Sequence, residues 1–195
     1  MNVGPYRAWR QESYAAAWRF AAQAHEGQKE PVASLPYILH LGSVAMETLG
    51  ALREAPVFDE ELAVQCALLH DTLEDTATRY DDLATEFGEA VARGVRALSK
   101  DASLPKAAQM ADSLTRIRAQ PREVWLVKMA DRVCNLRPPI PAHWSHTKAV
   151  GYRDEAVTIV DALGDASDFM ARRLREKIDA YQHAIDALAS RGRST

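Results

Sequence analysis

The sequence predicts an all-α protein, and three observations carry that prediction. Nearly every apolar segment repeats at three- and four-residue spacing, the period of a helix face. No segment of four to eight residues alternates apolar and polar as a half-buried strand would. The prolines, together with Gly27 and Gly88, fall at the ends of the periodic segments rather than inside them, as helix punctuation does.

The elements follow in order. Tyr14, Ala17, Trp18, Ala21 and Ala24 trace one face of a first helix that ends near His25-Glu26-Gly27. Gln28 to Pro36 has two prolines and no periodicity and reads as a loop. A second helix runs from about Ile38 to Arg53, with Val44, Ala45, Thr48 and Leu49 on its face. Asp59 caps a third, whose first turn holds Glu60 and Glu61, favoured beside the helix N-terminus. Two short helices, Tyr80–Phe87 and Glu89–Leu98, are broken at Gly88, and another spans Lys106 to Ala119. Pro121 starts the next, which is apolar almost all round from Val124 to Leu136 and therefore central. Pro138, Pro139 and Pro141 end it, and helices near Tyr152–Leu163 and Phe169–Leu188 complete the chain. No internal repeat or long linker divides it, so residues 1–195 are expected to form one domain.

Composition narrows the function classes. A net charge of −3 with no basic block gives no expectation of nucleic-acid binding. No apolar stretch reaches the roughly 18 residues of a membrane span, and the N-terminal segment lacks a signal-peptide core, so a cytoplasmic protein is expected. The two cysteines, Cys66 and Cys134, lie within apolar helical patterns and read as reduced core residues.

The chemistry concentrates in His70-Asp71-Thr72-Leu73-Glu74-Asp75. If the preceding helix continues through it, His70/Glu74 and Asp71/Asp75 are i,i+4 pairs and much of this chemistry shares one face. Three carboxyl groups crowded at the edge of a core need a compensating cation, and a divalent metal is the simplest supplier. His70 and Asp71 would be half of such a site. Asp131, embedded in the central helix, and His40 are the candidates for the other half; alone, each also reads as structural, Asp131 paired with Arg132 and His40 as a hydrogen-bonded core residue. Two imidazoles and two carboxylates suit Mn²⁺, Fe²⁺ or Zn²⁺ better than Mg²⁺ or Ca²⁺. Such an ion acidifies a bound water and polarises a phosphoryl oxygen, and Glu74 and Asp75 are spaced to take that water's proton and orient it. His25, His143, His146 and His183 are not expected to be ligands. No phosphate-cradling glycine loop or serine-nucleophile motif occurs.

In that order along the chain, His40, His70-Asp71 and Asp131 resemble the H…HD…D signature of HD-domain metal-dependent phosphohydrolases. The flanking segments narrow the resemblance. His25-Glu26-Gly27-Gln28, Pro36-Tyr37-Ile38-Leu39-His40, Ala67-Leu68-Leu69-His70-Asp71-Thr72-Leu73-Glu74-Asp75-Thr76 and Lys128-Met129-Ala130-Asp131-Arg132-Val133-Cys134-Asn135-Leu136 are similar to the hydrolase domain of Rel/Spo-type alarmone enzymes, and at this length to the small alarmone hydrolases. The resemblance covers roughly residues 14 to 165 and implies a single HD-domain helical bundle. It implies a metal, usually Mn²⁺, on His40, His70, Asp71 and Asp131, with Glu74 and Asp75 catalytic, and removal of pyrophosphate from the 3′ position of (p)ppGpp or (p)ppApp. Asn135 matches the family asparagine near the nucleoside, and Lys106, Lys148 and Tyr152 match phosphate- and ribose-side contacts. The partner implied is a small nucleotide. The departures lie in the recognition loops: Lys29 to Leu35 has Glu-Pro and no glycine where the family carries a basic pair and a glycine, Leu41 replaces a proline, and Pro138 follows Arg137. The alternatives are an HD-type phosphatase for another nucleotide such as NADPH and a silent nucleotide-sensing module.

Overall fold

The computed structural model describes residues 10–31, 34–54 and 59–191. Val32 and Ala33 of the recognition loop, and the first nine residues on which the expectation of no signal peptide rests, lie outside them.

The described residues form helices α1 (Gln11–Ala24), α2 (Ile38–Glu54), α3 (Glu60–Leu69), α4 (Thr72–Asp75), α5 (Tyr80–Phe87), α6 (Glu89–Leu98), α7 (Lys106–Arg118), α8 (Arg122–Asn135), α9 (His146–Leu163) and α10 (Asp168–Arg191), with a 3₁₀ turn at Gly164–Ala166. The all-α expectation holds; the only β pairing among these residues is an isolated bridge between Lys29 and Pro36. None of these helices is long and apolar enough to cross a membrane.

The caps explain the boundaries. Asp59 accepts a hydrogen bond from the Leu62 amide, and the Glu123 carboxylate holds Asp59's own amide at 2.6 Å, tying the start of α3 to α8. Ser145 accepts from the Lys148 amide, which starts α9 at His146, six residues before the expected start near Tyr152. Gly88, at φ 86°, is the left-handed corner between α5 and α6. Ser34 occupies the left-handed region at φ 54° in the loop where the family resemblance leads one to expect a glycine.

α8 is central as its apolar composition predicted, with Val124, Leu126, Val127, Met129 and Ala130 inaccessible to solvent. It packs against α2, α3, α9 and α10, and the apolar side chains form one contiguous core. Each buried Val, Leu, Ile or Met side chain contributes roughly 1.5–3 kcal/mol of burial. This packing brings α2, α3 and α8 side by side, and those three helices carry the metal-ligand candidates. Cys66 and Cys134 are buried free thiols, both pushed up to about 12 by burial, as expected of inert core cysteines.

Candidate metal centre

Three helices deliver three ligand atoms to one point. His40 from α2, His70 at the end of α3 and Asp131 from α8 each offer an atom lying within 4.8 Å of the other two, and all three residues are buried. The Asp131 Oδ1 atom lies 3.5 Å from His40 Nε2 and 3.7 Å from His70 Nε2. Asp71 joins them: its Oδ2 is 2.9 Å from His70 Nε2 and 3.7 Å from His40 Nε2.

The donor set fits a divalent cation. His70 donates from Nδ1 to the Ala67 carbonyl at 2.9 Å, which fixes the ring and points Nε2 at the carboxylates. That Nε2 is fully buried and, despite its closeness to Asp71, forms no aligned hydrogen bond. Burial by itself would lower the His70 pKa, but the adjoining Asp71 and Asp131 carboxylates raise it well above the ordinary imidazole value. Burial likewise works to raise Asp71, yet His70 and the Tyr37 hydroxyl hold it down at about 2. Asp131 is opposed by its own burial and held well below the carboxylate range by Lys128, His40 and His70. Without a metal, protons and Lys128 thus do the neutralising that a cation would do.

The supporting contacts were not anticipated from sequence. Tyr37 donates to Asp71 Oδ2 at 2.6 Å, and its ring is packed between His25 and His40, with centroids 5.0 and 5.2 Å away. The Lys128 ammonium lies 3.4 Å from Asp131 Oδ2, one turn away on the same helix. Asn135 donates to Asp131 Oδ1. Arg132, the partner considered for Asp131, turns away to the Tyr152 carbonyl and Glu155 and stacks over the Tyr152 ring at 4.1 Å. Spacing alone could have suggested Tyr37 and Lys128, each three residues from a ligand candidate. Replacing Tyr37 by phenylalanine keeps the ring packing and deletes the hydroxyl, so Mn²⁺ affinity measured by calorimetry should fall roughly 10- to 100-fold with little change in melting temperature. Unchanged affinity would show that Asp71 needs no such holder.

The run from His70 to Asp75 is not one continuous helix. α3 ends at Leu69, the Thr72 hydroxyl takes the Leu69 carbonyl at 2.7 Å, and α4 is a separate turn. The carboxylates therefore diverge instead of sharing a face. Asp71 points to the imidazoles, whereas Glu74 pairs with Lys100, just beyond the end of α6. Asp75 is exposed to solvent, yet partial desolvation together with the Asp71 and Glu74 carboxylates raises its pKa.

The remaining sequence candidates are spread around this centre. Tyr152 is packed between Trp144 and Arg132, and Lys148 sits over the Trp144 ring at 4.4 Å. Lys106 is exposed in the first turn of α7. His143, His146 and His183 are exposed and lie outside the cluster; His25 caps α1, bonded to Gln28. A cavity of about 280 Å³ opens between α1 and α2, walled by His25, Gln28, Lys29 and Tyr37, so it adjoins the residue that holds Asp71.

The chain is similar to known proteins over most of its length. The HD-domain family pattern matches residues 17–164. The chain is 35% identical over 162 residues to the guanosine-3′,5′-bis(diphosphate) 3′-pyrophosphohydrolase MESH1 of Danio rerio, covering 80% of this chain and 87% of that protein. It is also 35% identical to MESH1 of Homo sapiens over 149 residues, or 74% and 80% of the two chains. With the bifunctional (p)ppGpp synthase/hydrolase SpoT of Escherichia coli it shares 38% identity over 127 residues, 62% of this chain but 17% of that protein. The solved structure of a metazoan ortholog of SpoT, which hydrolyses ppGpp and plays a role in starvation responses, superposes with a TM-score of 0.77 at 25% identity, covering 89% of this chain and 97% of that one. Fold, ligand geometry and relatives together make the chain a member of the HD-domain family, in the branch of the small 3′-pyrophosphohydrolases.

Proposed function

We propose that this protein hydrolyses the 3′-diphosphate of (p)ppGpp-type nucleotides to release pyrophosphate, using one divalent metal ion on His40, His70, Asp71 and Asp131. The observation that carries the reading is the convergence of two imidazole nitrogens and two carboxylate oxygens from α2, the α3–α4 turn and α8, at separations of 2.9 to 3.7 Å. HD-domain hydrolases depend on metal, and a mixed nitrogen and oxygen set favours Mn²⁺ over Mg²⁺. When bound, the ion supplies polarisation of the phosphoryl oxygen and a more acidic water.

The chain's own residues do the rest. Tyr37 fixes Asp71, while Lys128 and Asn135 fix Asp131, so both carboxylates present one oxygen each to the centre. Glu74 accepts the proton of the attacking water. Asp75, its pKa raised by partial desolvation and neighbouring carboxylates, donates a proton to the departing 3′ oxygen. Two adjacent carboxyl groups held in unlike environments suit these opposite duties. Asn135 and Tyr152 would face the nucleoside, and Lys106 and Lys148 the phosphates.

Purified protein with Mn²⁺ should convert ppGpp to GDP and pyrophosphate in equal amounts, lose the activity to EDTA and regain it on metal addition. Glu74→Gln and Asp75→Asn should each lower kcat about 10²- to 10⁴-fold with Mn²⁺ binding retained. Orthophosphate release, or no turnover of ppGpp or ppApp with any divalent ion, would overturn the assignment.

A further inference from the structure

One residue holds Glu74 at both of its carboxylate oxygens. The Lys100 amide donates to Oε2 at 2.8 Å, and the Lys100 ammonium donates to Oε1 at 2.9 Å. The two grips differ in permanence. The backbone leading into Lys100 is pinned by Arg116 from α7, which donates to the carbonyls of Arg96 and Ala97 at 2.7 and 3.1 Å and of Ser99 at 2.9 Å. The ammonium instead ends a flexible four-carbon stem whose side chain is 46% exposed.

Charge supplies the second argument. Partial burial works against the charged form of Lys100, but Glu74, Asp131 and Asp71 together outweigh it and favour the ammonium. A nucleotide 3′-diphosphate adds further negative charge and needs a mobile cation at that point. Lys128 is buried against Asp131, whereas the Lys100 ammonium is partly exposed beside Glu74.

We propose that Lys100 binds the 3′-diphosphate and that its ammonium exchanges partners when substrate arrives, leaving Glu74 for the phosphate oxygens. The amide keeps Glu74 in place, so Oε1 is freed as proton acceptor at the moment substrate is bound. This deepens the hydrolase reading and rests on it. Water oxygen bonds to the 3′-linked phosphorus, the bond from that phosphorus to the 3′ oxygen breaks, and pyrophosphate departs. The water's proton goes to Glu74, Asp75 protonates the 3′ oxygen, and a proton passing from Glu74 to Asp75 restores the pair. Lys100 keeps its protons throughout.

The test measures pyrophosphate and GDP binding to the Mn²⁺-loaded protein by calorimetry in excess metal, which does not depend on turnover. Lys100→Met should weaken pyrophosphate roughly 10- to 100-fold, the range of a lost charge-assisted hydrogen bond, and leave GDP within about twofold. Lys100→Arg should retain most of the affinity. Glu74→Gln should tighten pyrophosphate in the wild-type background and have no effect beside Lys100→Met. Unaltered pyrophosphate binding in Lys100→Met, with an unchanged melting temperature, would overturn the proposal. Equal tightening by Glu74→Gln in both backgrounds would also overturn it, since that is bulk charge and not exchange. Wild-type protein that binds in this pattern but releases no pyrophosphate from ppGpp would instead overturn the hydrolase reading and leave Lys100 as an anion ligand.

Discussion

Asp71→Asn is expected to abolish hydrolysis, lowering kcat by about 10³-fold or more, beyond the 10- to 100-fold cost of losing a supporting partner. Asparagine keeps the size and an oxygen for the Tyr37 hydroxyl, so the turn between α3 and α4 should survive. What disappears is the negative charge 2.9 Å from His70 Nε2. The same charge stabilises the metal-free fold. Its carboxyl sits at about 2 in the folded protein against an ordinary 3.8, so the unfolded chain takes up its proton first. The stabilisation is present above pH 3.8 and is lost as pH falls towards 2, and it amounts to about 2 kcal/mol. In urea melts of metal-free protein, Asp71→Asn should therefore be less stable than wild type by that amount at neutral pH, and the gap should close on acidification. Near-normal turnover of the variant with Mn²⁺ would remove Asp71 from the ligand set.

The elements legible in the sequence were those whose signals are local. Asp59, Pro121 and the apolar continuity of α8 mark boundaries through caps and burial that act within a turn or two of the chain. Ser145 marks one as well, but its helix begins with the polar run His146-Thr147-Lys148, and hydrophobic periodicity starts only later, so apolar spacing placed the helix too late. The ligand candidates were legible because a carboxylate in an apolar helix is costly and demands an explanation. The break at His70-Asp71 was not legible: Thr72 ends α3 with a side-chain bond, and extending the helix through Asp75 put the carboxylates on one face. Nor were the grip of Lys100 on Glu74 and that of Arg116 on the turn before Lys100, since both act across helices. Arg116 is twenty residues from the first carbonyl it holds, a relation that only the packing of α6 on α7 creates.

The packing of α6 on α3 also yields the largest expected effect away from the metal centre. Gly94→Val should destabilise the protein by about 3 kcal/mol or more, a large part of the 5–15 kcal/mol that holds a typical domain together. A Cβ at Gly94 would lie 2.7 Å from Cys66 Sγ and 3.1 Å from Val124 Cγ2, so α6 meets α3 and α8 where only a hydrogen fits. Cys66 is wholly buried and cannot swing into solvent. The helices must separate, and the melting temperature should drop by about 6–12 °C at 2–4 °C per kcal/mol. Gly94→Ala is the sharper comparison, because alanine gains about 1 kcal/mol of helix propensity and still meets the sulfur. Overpacking should win, giving net destabilisation, and Cys66→Ala in the same chain should recover most of it by removing that sulfur. Function should suffer along with stability. Cys66 lies one turn before His70, and α6 leads into Lys100, so forcing α3 from α6 misplaces both the metal centre and the grip on Glu74. Lower Mn²⁺ affinity in Gly94→Ala, restored by Cys66→Ala, would tie the fit of one glycine to the geometry of the catalytic pair. A neutral or stabilising Gly94→Ala would show that this crossing tolerates a methyl group and that the site is positioned without it.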